Sequence, residues 1–320
     1  MKYISHEDGN LVLSETNKPI LKGHEVLVKV AAIGVNRADS MQRQGKYPAP
    51  KGDSLILGLE CAGTVSEVGS EVDKSWLNKR IFTLCSGGAY SEYVAVDVKQ
   101  LMQLPDNVSF SEGAAISEVY LTAFAALFEL GKLQKGQTAL IHAGASGVGG
   151  AAIQMAKSVG ATVVITAGSE QKCEHAKALG ADHAINYKTT DFVEYMQINN
   201  LTANAIVDPV SGRYLNKNAA VAAIDCQIVM LAFLDGRFAE VDFAALLQKR
   251  ISFHASTLRN RSIDFKRALR DNFVAHFYCQ ITNNNFNFNI YKTLPWSEAN
   301  EAHAILERNE NAGKVVLLVE

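Results

Sequence analysis

The residues whose spacing points most directly to chemistry are three glycines, Gly144, Gly147 and Gly149, inside the run Thr138 to Ser169, TALIHAGASGVGGAAIQMAKSVGATVVITAGS. An apolar strand ending at His142 precedes them, an apolar helix follows, and a second strand, Thr162 to Ala167, comes next. Glycine lets a backbone turn sharply and approach a pyrophosphate, while the exposed N–H groups and positive dipole of a helix start offset the phosphate charge. A bare glycine motif matches many tight turns, but in this strand, turn, helix and strand setting it reads as a dinucleotide site. The end of the second strand says which dinucleotide. Sites preferring NAD place an acid there for the ribose hydroxyls, whereas this chain has Ala167, Gly168 and Ser169, with Lys172 one turn later. Ser169 can donate a hydrogen bond and Lys172 supplies a point charge, so the expected cofactor carries a 2′-phosphate and is NADPH. Glu170 reads as an acid in the first turn of a helix, favoured by the helix dipole.

The elements that must position this turn alternate. After it come helix-like Gln171 to Leu179, strand-like His183 to Tyr187, a helix near Phe192, strand-like Asn204 to Asp208, a helix near Asn216 to Ala223, and strand-like Ile228 to Phe233. Strand and helix taking turns at this spacing predict an α/β, doubly wound parallel sheet. Before residue 110 the texture differs. Short β-like runs at Glu25 to Val30, Leu57 to Val68, Arg80 to Leu84 and Tyr90 to Val96 are punctuated by glycines, which predicts a β-rich domain. An Ala-rich helical stretch, Ser111 to Leu130, joins the two. The Asn-rich run Thr282 to Asn289 reads as an insertion or exposed edge, followed by a helix at about Ser297 to Glu310 and a strand, Lys314 to Val319.

Composition excludes several classes. With 320 residues, two domains are expected, and 48% apolar against 20% charged residues supports sizeable cores rather than disorder. Thirty-one basic against 33 acidic residues give a net charge of −2, so no bulk field recruits nucleic acid or membrane. Five scattered cysteines, Cys61, Cys85, Cys173, Cys226 and Cys279, form no C-x-x-C pair, which argues against a disulfide framework and a clustered zinc module and fits a reducing cytoplasm. The first ten residues lack the basic flank and apolar stretch of a secretory signal. Gly136 to Ala156 has no Asp, Glu, Lys or Arg, but its five glycines fit a strand, turn and helix start better than a membrane span.

NRADSMQRQGKYP (Asn36 to Pro48), LGLECAGTVSEVG (Leu57 to Gly69), SEVYLTAFAAL (Ser117 to Leu127), the glycine-rich segment, TAGSEQK (Thr166 to Lys172) and AGKVVL (Ala312 to Leu317) together resemble the quinone oxidoreductases. These are zinc-free, zeta-crystallin-like members of the medium-chain dehydrogenase/reductase superfamily. The resemblance implies a GroES-like catalytic domain formed by residues 1–117 and 279–320, wrapped around a Rossmann domain of residues 118–278, with the active site in the cleft. It implies that Asn36 and Tyr47 face the nicotinamide and substrate. The Tyr47 phenol would then donate to a developing oxyanion or stack on a flat acceptor, a tyrosine packed beneath a Pro-containing loop being the plainer alternative. It implies further that Thr122 contacts the nicotinamide ribose, that Ser146, Gly147 and Val148 form the pyrophosphate loop, and that Tyr187 flanks the adenosine phosphate. Phe233, Leu258 and Arg259 would close over the nicotinamide end, and Lys314 would reach the cofactor from the C-terminal strand.

The zinc alcohol dehydrogenases of the superfamily use a Cys and a His as first-domain ligands, where this chain has Asn36 with Arg37, and Leu59 before Glu60. No metal is therefore expected, and the substrate must already be electrophilic, a quinone or similar carbonyl compound. The rivals are an enone or enoyl-thioester reductase and, in another class, a nucleotide-gated RNA-binding or regulatory protein, against which the near-neutral charge counts. A homodimer joined through the Rossmann domain is the expected assembly. His142 is expected to be a satisfied core residue, Cys61 core, and Cys85 a possible reactive thiol. The basic residues Lys249, Arg250, Arg259, Arg261, Lys266, Arg267 and Arg270 read mostly as a solvated helix face, with Arg259 excepted.

Overall fold

Thr138–Ile141, Thr162–Ala167, His183–Asn186, Ala203–Asp208, Ala222–Met230 and Ser252–Ala255 are short apolar strands, each separated by enough chain for a crossover. In the computed structural model, which describes residues 1–7 and 9–320, they form one parallel sheet. Numbered in chain order they lie as 3-2-1-4-5-6, the doubly wound arrangement in which the order reverses beside strand 1. Leu140, Val164, Ile206 and Ile228 bury one layer of this sheet, against Phe192 and Met196 of the helix Phe192–Ile198. The chain divides into two units, and this sheet belongs to the one comprising Thr122–Leu258.

The other unit comprises Met1–Leu121 and Arg259–Glu320. Its main sheet runs Ile290–Pro295, Lys314–Leu318, Glu25–Val35, Glu60–Val68, Arg80–Leu84, Leu101–Gln103, and Tyr93–Asp97 also pairs with Glu25–Val35. The last strand of the chain is thus internal to the first domain, antiparallel to Glu25–Val35 and parallel to Ile290–Pro295. Val26, Val28, Ile33, Leu57, Tyr90, Trp296 and Val315 share one buried core, so residues from both ends of the chain are needed to close it.

The returning segment of this unit begins at Arg259, where the resemblance implied 279. The cause is the 20-residue helix Ile263–Thr282, which Ser262 caps by accepting from the Phe265 N–H at 3.3 Å. Leu269, Phe273, Phe277 and Ile281 recur at helical spacing and are buried, and the Tyr278 hydroxyl donates to the Gln103 carbonyl at 2.8 Å. The same helix revises two other readings. Lys266 is buried, not part of a solvated face. The Asn-rich run is not merely an exposed edge, because Phe286 and Phe288 are buried and Phe286 lies 5.5 Å from the Tyr120 ring and 6.1 Å from Phe277.

Gly136 to Ala156 is a strand, a turn and a helix, as read from its glycines. The Ala-rich stretch is broken into Phe110–Gly113, Ser117–Phe124 and a π-helical turn, Ala125–Leu130. Phe110–Leu130 is long and apolar enough to cross a membrane, and most of its apolar window is buried within the protein.

Phe286→Ala should cost ~3–5 kcal/mol of stability, the range for truncating a buried aromatic. Urea unfolding checks this: a change within about 0.5 kcal/mol would mean that the segment is a surface edge after all.

Candidate active site

In the nucleotide-type unit, the glycine turn leaves strand Thr138–Ile141 at the point where the sheet order reverses. Small residues are required here by contact. A Cβ on Gly144 would stand 2.5 Å from the Ile165 Cβ, and one on Gly149 would stand 2.5 Å from the Ala143 carbonyl oxygen. Ser146 caps the helix Gly147–Ser158, its hydroxyl accepting from the Gly149 N–H at 3.0 Å, and the Gly150 N–H is bound by the Ser146 carbonyl at 2.8 Å. The N–H groups of Gly147 and Val148, first in the helix, lie outside its internal ladder and suit a phosphate.

At the tip of Thr162–Ala167, Gly168 lies against Tyr187, whose hydroxyl would be 2.8 Å from any Cβ there. Ser169 caps the helix Glu170–Ala178 by accepting from the Lys172 N–H. Gly168, Ser169, Lys172 and half-exposed Tyr187 are thereby brought together. Glu170 is engaged elsewhere, its Oε1 accepting from Asn186 Nδ2 at 2.9 Å, in accord with a structural role. Thr122 opens this unit within Ser117–Phe124, half-exposed Phe233 follows strand Ala222–Met230, and partly buried Leu258 closes it. His142 is buried and satisfied by Thr166 at 2.9 Å and Asn218 at 2.8 Å, and burial lowers its pKa.

The catalytic-type unit concentrates its charges inside. Lys314 Nζ donates to Glu60 Oε1 at 2.6 Å, Asn36 Oδ1 at 2.8 Å and the Val35 carbonyl at 2.9 Å. Lys314 was expected to reach a cofactor, but these three bonds use every N–H of its ammonium, and its place is as the partner of Glu60 and Asn36. Asn36 Nδ2 also donates to Glu60 Oε1 at 2.9 Å, and the second Glu60 oxygen accepts from the Glu118 N–H at 2.8 Å. Burial, with Glu60 beside it, pushes the Glu118 carboxyl up to about 8, so it is mostly protonated at neutral pH.

Tyr47 and Arg259 meet here as well, the guanidinium carbon 5.5 Å from the ring centroid. Burial and then Glu118 raise the Tyr47 pKa, with Arg259 opposing them. Helix Arg37–Arg43, which starts from Asn36, is fixed by a second buried network. Asp39 Oδ2 accepts from the Asn36 N–H at 2.8 Å, the Tyr90 hydroxyl lies 3.0 Å from His303 Nε2, and His303 Nδ1 lies 3.2 Å from Ser40 Oγ. Burial lifts Asp39 to about 7 and drops His303 to about 3. Cys61 and Cys85 are buried thiols with sulfurs 3.7 Å apart, and the Cys85 pKa is raised well above the usual range, first by its bond to Cys61, so it is no activated nucleophile.

Sequence reading assigned no site role to Glu60, Glu118, Asp39 or Lys266. Glu60 and Glu118 did carry a signal, a carboxylate in an otherwise apolar strand and another in an Ala-rich helix, but their proximity is tertiary.

Comparisons with known proteins fit this geometry. Residues 22–106 match the alcohol dehydrogenase GroES-like domain and residues 147–272 the zinc-binding dehydrogenase domain. Quinone oxidoreductase-like protein 2 of Bos taurus is 30% identical over 311 residues, covering 96% of this chain and 88% of that protein. The chain belongs to the quinone oxidoreductase family of the medium-chain dehydrogenase/reductase superfamily. The synaptic vesicle membrane protein VAT-1 homolog of Danio rerio is 36% identical over 201 residues, 62% of this chain, and the chain spans 42% of its length. Among solved structures, quinone oxidoreductase of Pseudomonas syringae pv. Tomato superposes with a TM-score of 0.86 at 27% identity, covering 99% of both chains. CurK enoyl reductase gives 0.87 at 25% identity over 100% and 99% of the chains. A mycobacterial protein complexed with NADPH gives 0.85 at 25% identity over 99% and 100%.

The zinc named in one of these family descriptions does not fit the residues present. Glu60 and Asn36 are hydrogen-bonded by an ammonium, Leu59 stands where the resemblance puts an imidazole, and among the described residues no group of His, Cys, Asp and Glu has a metal-binding arrangement.

Lys314→Met should cost ~3–5 kcal/mol, since it leaves Glu60 charged and buried without its cation, and adding Glu60→Gln should recover part of that. Urea unfolding of the single and double variants reads this; a single variant within about 0.5 kcal/mol of the parent would refute it. Asp39 gives a pH dependence. Its folded pKa of about 7 lies above the ordinary carboxyl value, so the folded state holds the extra proton and stability falls as pH rises from about 4 to 7. Relative to Asp39→Asn, the parent should lose up to about 1.4 kcal/mol per pH unit across that window, whereas a constant difference would contradict it.

Proposed function

We propose that the protein is an NADPH-dependent, zinc-independent reductase of quinones or similar electrophilic carbonyl compounds. The observation that carries this is the Lys314, Glu60 and Asn36 cluster, which holds an ammonium where zinc relatives would polarise a carbonyl, beside two neutral acids, Tyr47 and Glu118. Bound NADPH would supply the hydride. The chain's part is to hold the dinucleotide, to present a flat acceptor against Tyr47, and to offer hydrogen-bond donors to an oxygen gaining charge. An acceptor whose added electrons delocalise over a ring needs no stronger Lewis acid, which is why a quinone suits these residues better than a simple ketone. Gly168, Ser169, Lys172 and Tyr187 support the 2′-phosphate, and a neighbour solved with NADPH adds to that support.

A second reading is favoured by Glu118, because a carboxyl that keeps its proton at neutral pH is the kind of donor an enone or enoyl-thioester reductase requires, and CurK enoyl reductase is among the similar structures. The assembly we propose is a homodimer through the nucleotide unit. Its support is the terminal strand Ser252–Ala255, open on one side, together with exposed Phe253, Phe243 and Leu247. Five scattered cysteines with no C-x-x-C pair support a reducing, cytoplasmic setting.

NADPH and NADH oxidation with an ortho-quinone and with an enone tests these readings together. Loss of one charge-assisted contact is worth ~1.5–3 kcal/mol, so Lys172→Ala should weaken NADPH by about 10–150-fold and spare NADH. Equal losses for both cofactors would sink the NADPH assignment. Tyr47→Phe should only dent quinone turnover if the first reading holds, and Glu118→Gln should abolish enone turnover if the second does.

A further inference from the structure

Arg259 is 7% exposed, yet its Nε and Nη1 have no hydrogen-bond partner, and Nη2 reaches only the Ser86 carbonyl at 3.5 Å. A guanidinium withdrawn from water normally has its donors filled, most often by a carboxylate or phosphate that matches its fork. Beside it, Lys266 is 6% exposed, with Nζ donating to the Arg259 carbonyl at 2.8 Å and to Ser86 Oγ at 3.5 Å. Two buried cations therefore lie together, and burial is the main cause that lowers the Lys266 pKa.

The anions of this chain do not account for them. Asp53 and Glu118 act on Lys266 through their charge, but neither hydrogen-bonds to it or to Arg259, and Glu118 is mostly neutral at pH 7. What does face the guanidinium is the ring of Tyr47, at 5.5 Å. An aromatic ring with an unfilled cationic fork over it is complementary to an aromatic ligand carrying a negative group.

We propose that Arg259 and Lys266 form a binding site for an anionic substituent, a carboxylate, on the electron acceptor whose ring lies against Tyr47. This rests on the reductase reading and narrows it. The preferred acceptors are quinones or enones bearing an acid group, and neutral ones lacking it bind more weakly. Arg259 acts here as a specificity residue toward the acceptor, and not toward the cofactor as the family resemblance implies.

Calorimetric titration of the full chain with 2-naphthoate and with neutral 2-naphthamide, each with and without NADP⁺, measures the site without turnover. Naphthoate should bind at least about tenfold more tightly than naphthamide, the value of one charge-assisted bond. Arg259→Met should erase that preference. Arg259→Lys, which keeps the cation and loses the fork, and Lys266→Met should each keep part of it. Equal binding of the two probes by the unaltered protein overturns the proposal, and needs no variant to fold. If instead Arg259→Met weakens NADPH, titrated by its fluorescence, while leaving the naphthoate preference intact, the guanidinium serves a cofactor phosphate and the proposal fails. Failure of the reductase reading looks different: no quinone oxidises NADPH, while the naphthoate preference and its loss in Arg259→Met persist.

Discussion

A carboxylate fully withdrawn from water is among the costliest groups a fold can contain, and Glu60 is buried at the start of the sheet strand Glu60–Val68. What makes it tolerable is the Lys314 ammonium at 2.6 Å, with Asn36 Nδ2 and the Glu118 N–H completing its hydrogen bonds. These four residues come from four separate segments, so one charge pair locks the Asn36 turn, the Glu60 strand, the start of the linking helix and the final strand into register. Its desolvation cost is recovered only with good geometry and filled lone pairs, which is the arrangement observed. Burial first, and then the neighbouring Glu60, keep the proton on the Glu118 carboxyl.

Local pattern carried much of the architecture into the sequence. The alternation of apolar runs after residue 138 announced the parallel sheet, and the strands Arg80–Leu84 and Thr162–Ala167 fall where alternation and β-branching put them. The glycine turn was legible because its residues are neighbours in the chain, and their reasons for being small are contacts within a single βαβ unit. The helix Ile263–Thr282 was less visible because its inward face mixes Phe and Leu with Lys266, and a lysine at a core position looks like the solvent side until its partners are known. The Asn-rich run misled for a related reason: its polar residues outnumber the two phenylalanines that anchor it.

The charged centre was the least legible part. Glu60 and Lys314 are separated by 254 residues, and no spacing rule joins them. Sequence resemblance placed Lys314 near a cofactor, but its three donors are consumed within its own unit. Arg259 shows the converse case. The resemblance singled it out, while only burial and unfilled donors distinguish an arginine that waits for an anion from one that is already paired.

The position of strand Lys314–Leu318 between Ile290–Pro295 and Glu25–Val35 also sets an order of events at the ribosome. The nucleotide unit is one continuous stretch, Thr122–Leu258, and can close as soon as it has emerged. The domain begun before it must wait. Until Lys314 is translated, Glu60 lacks its cation and Glu25–Val35 lacks the partner strand that pairs with Ala32–Val35. Completion of the acidic centre therefore waits for the strand that carries Lys314.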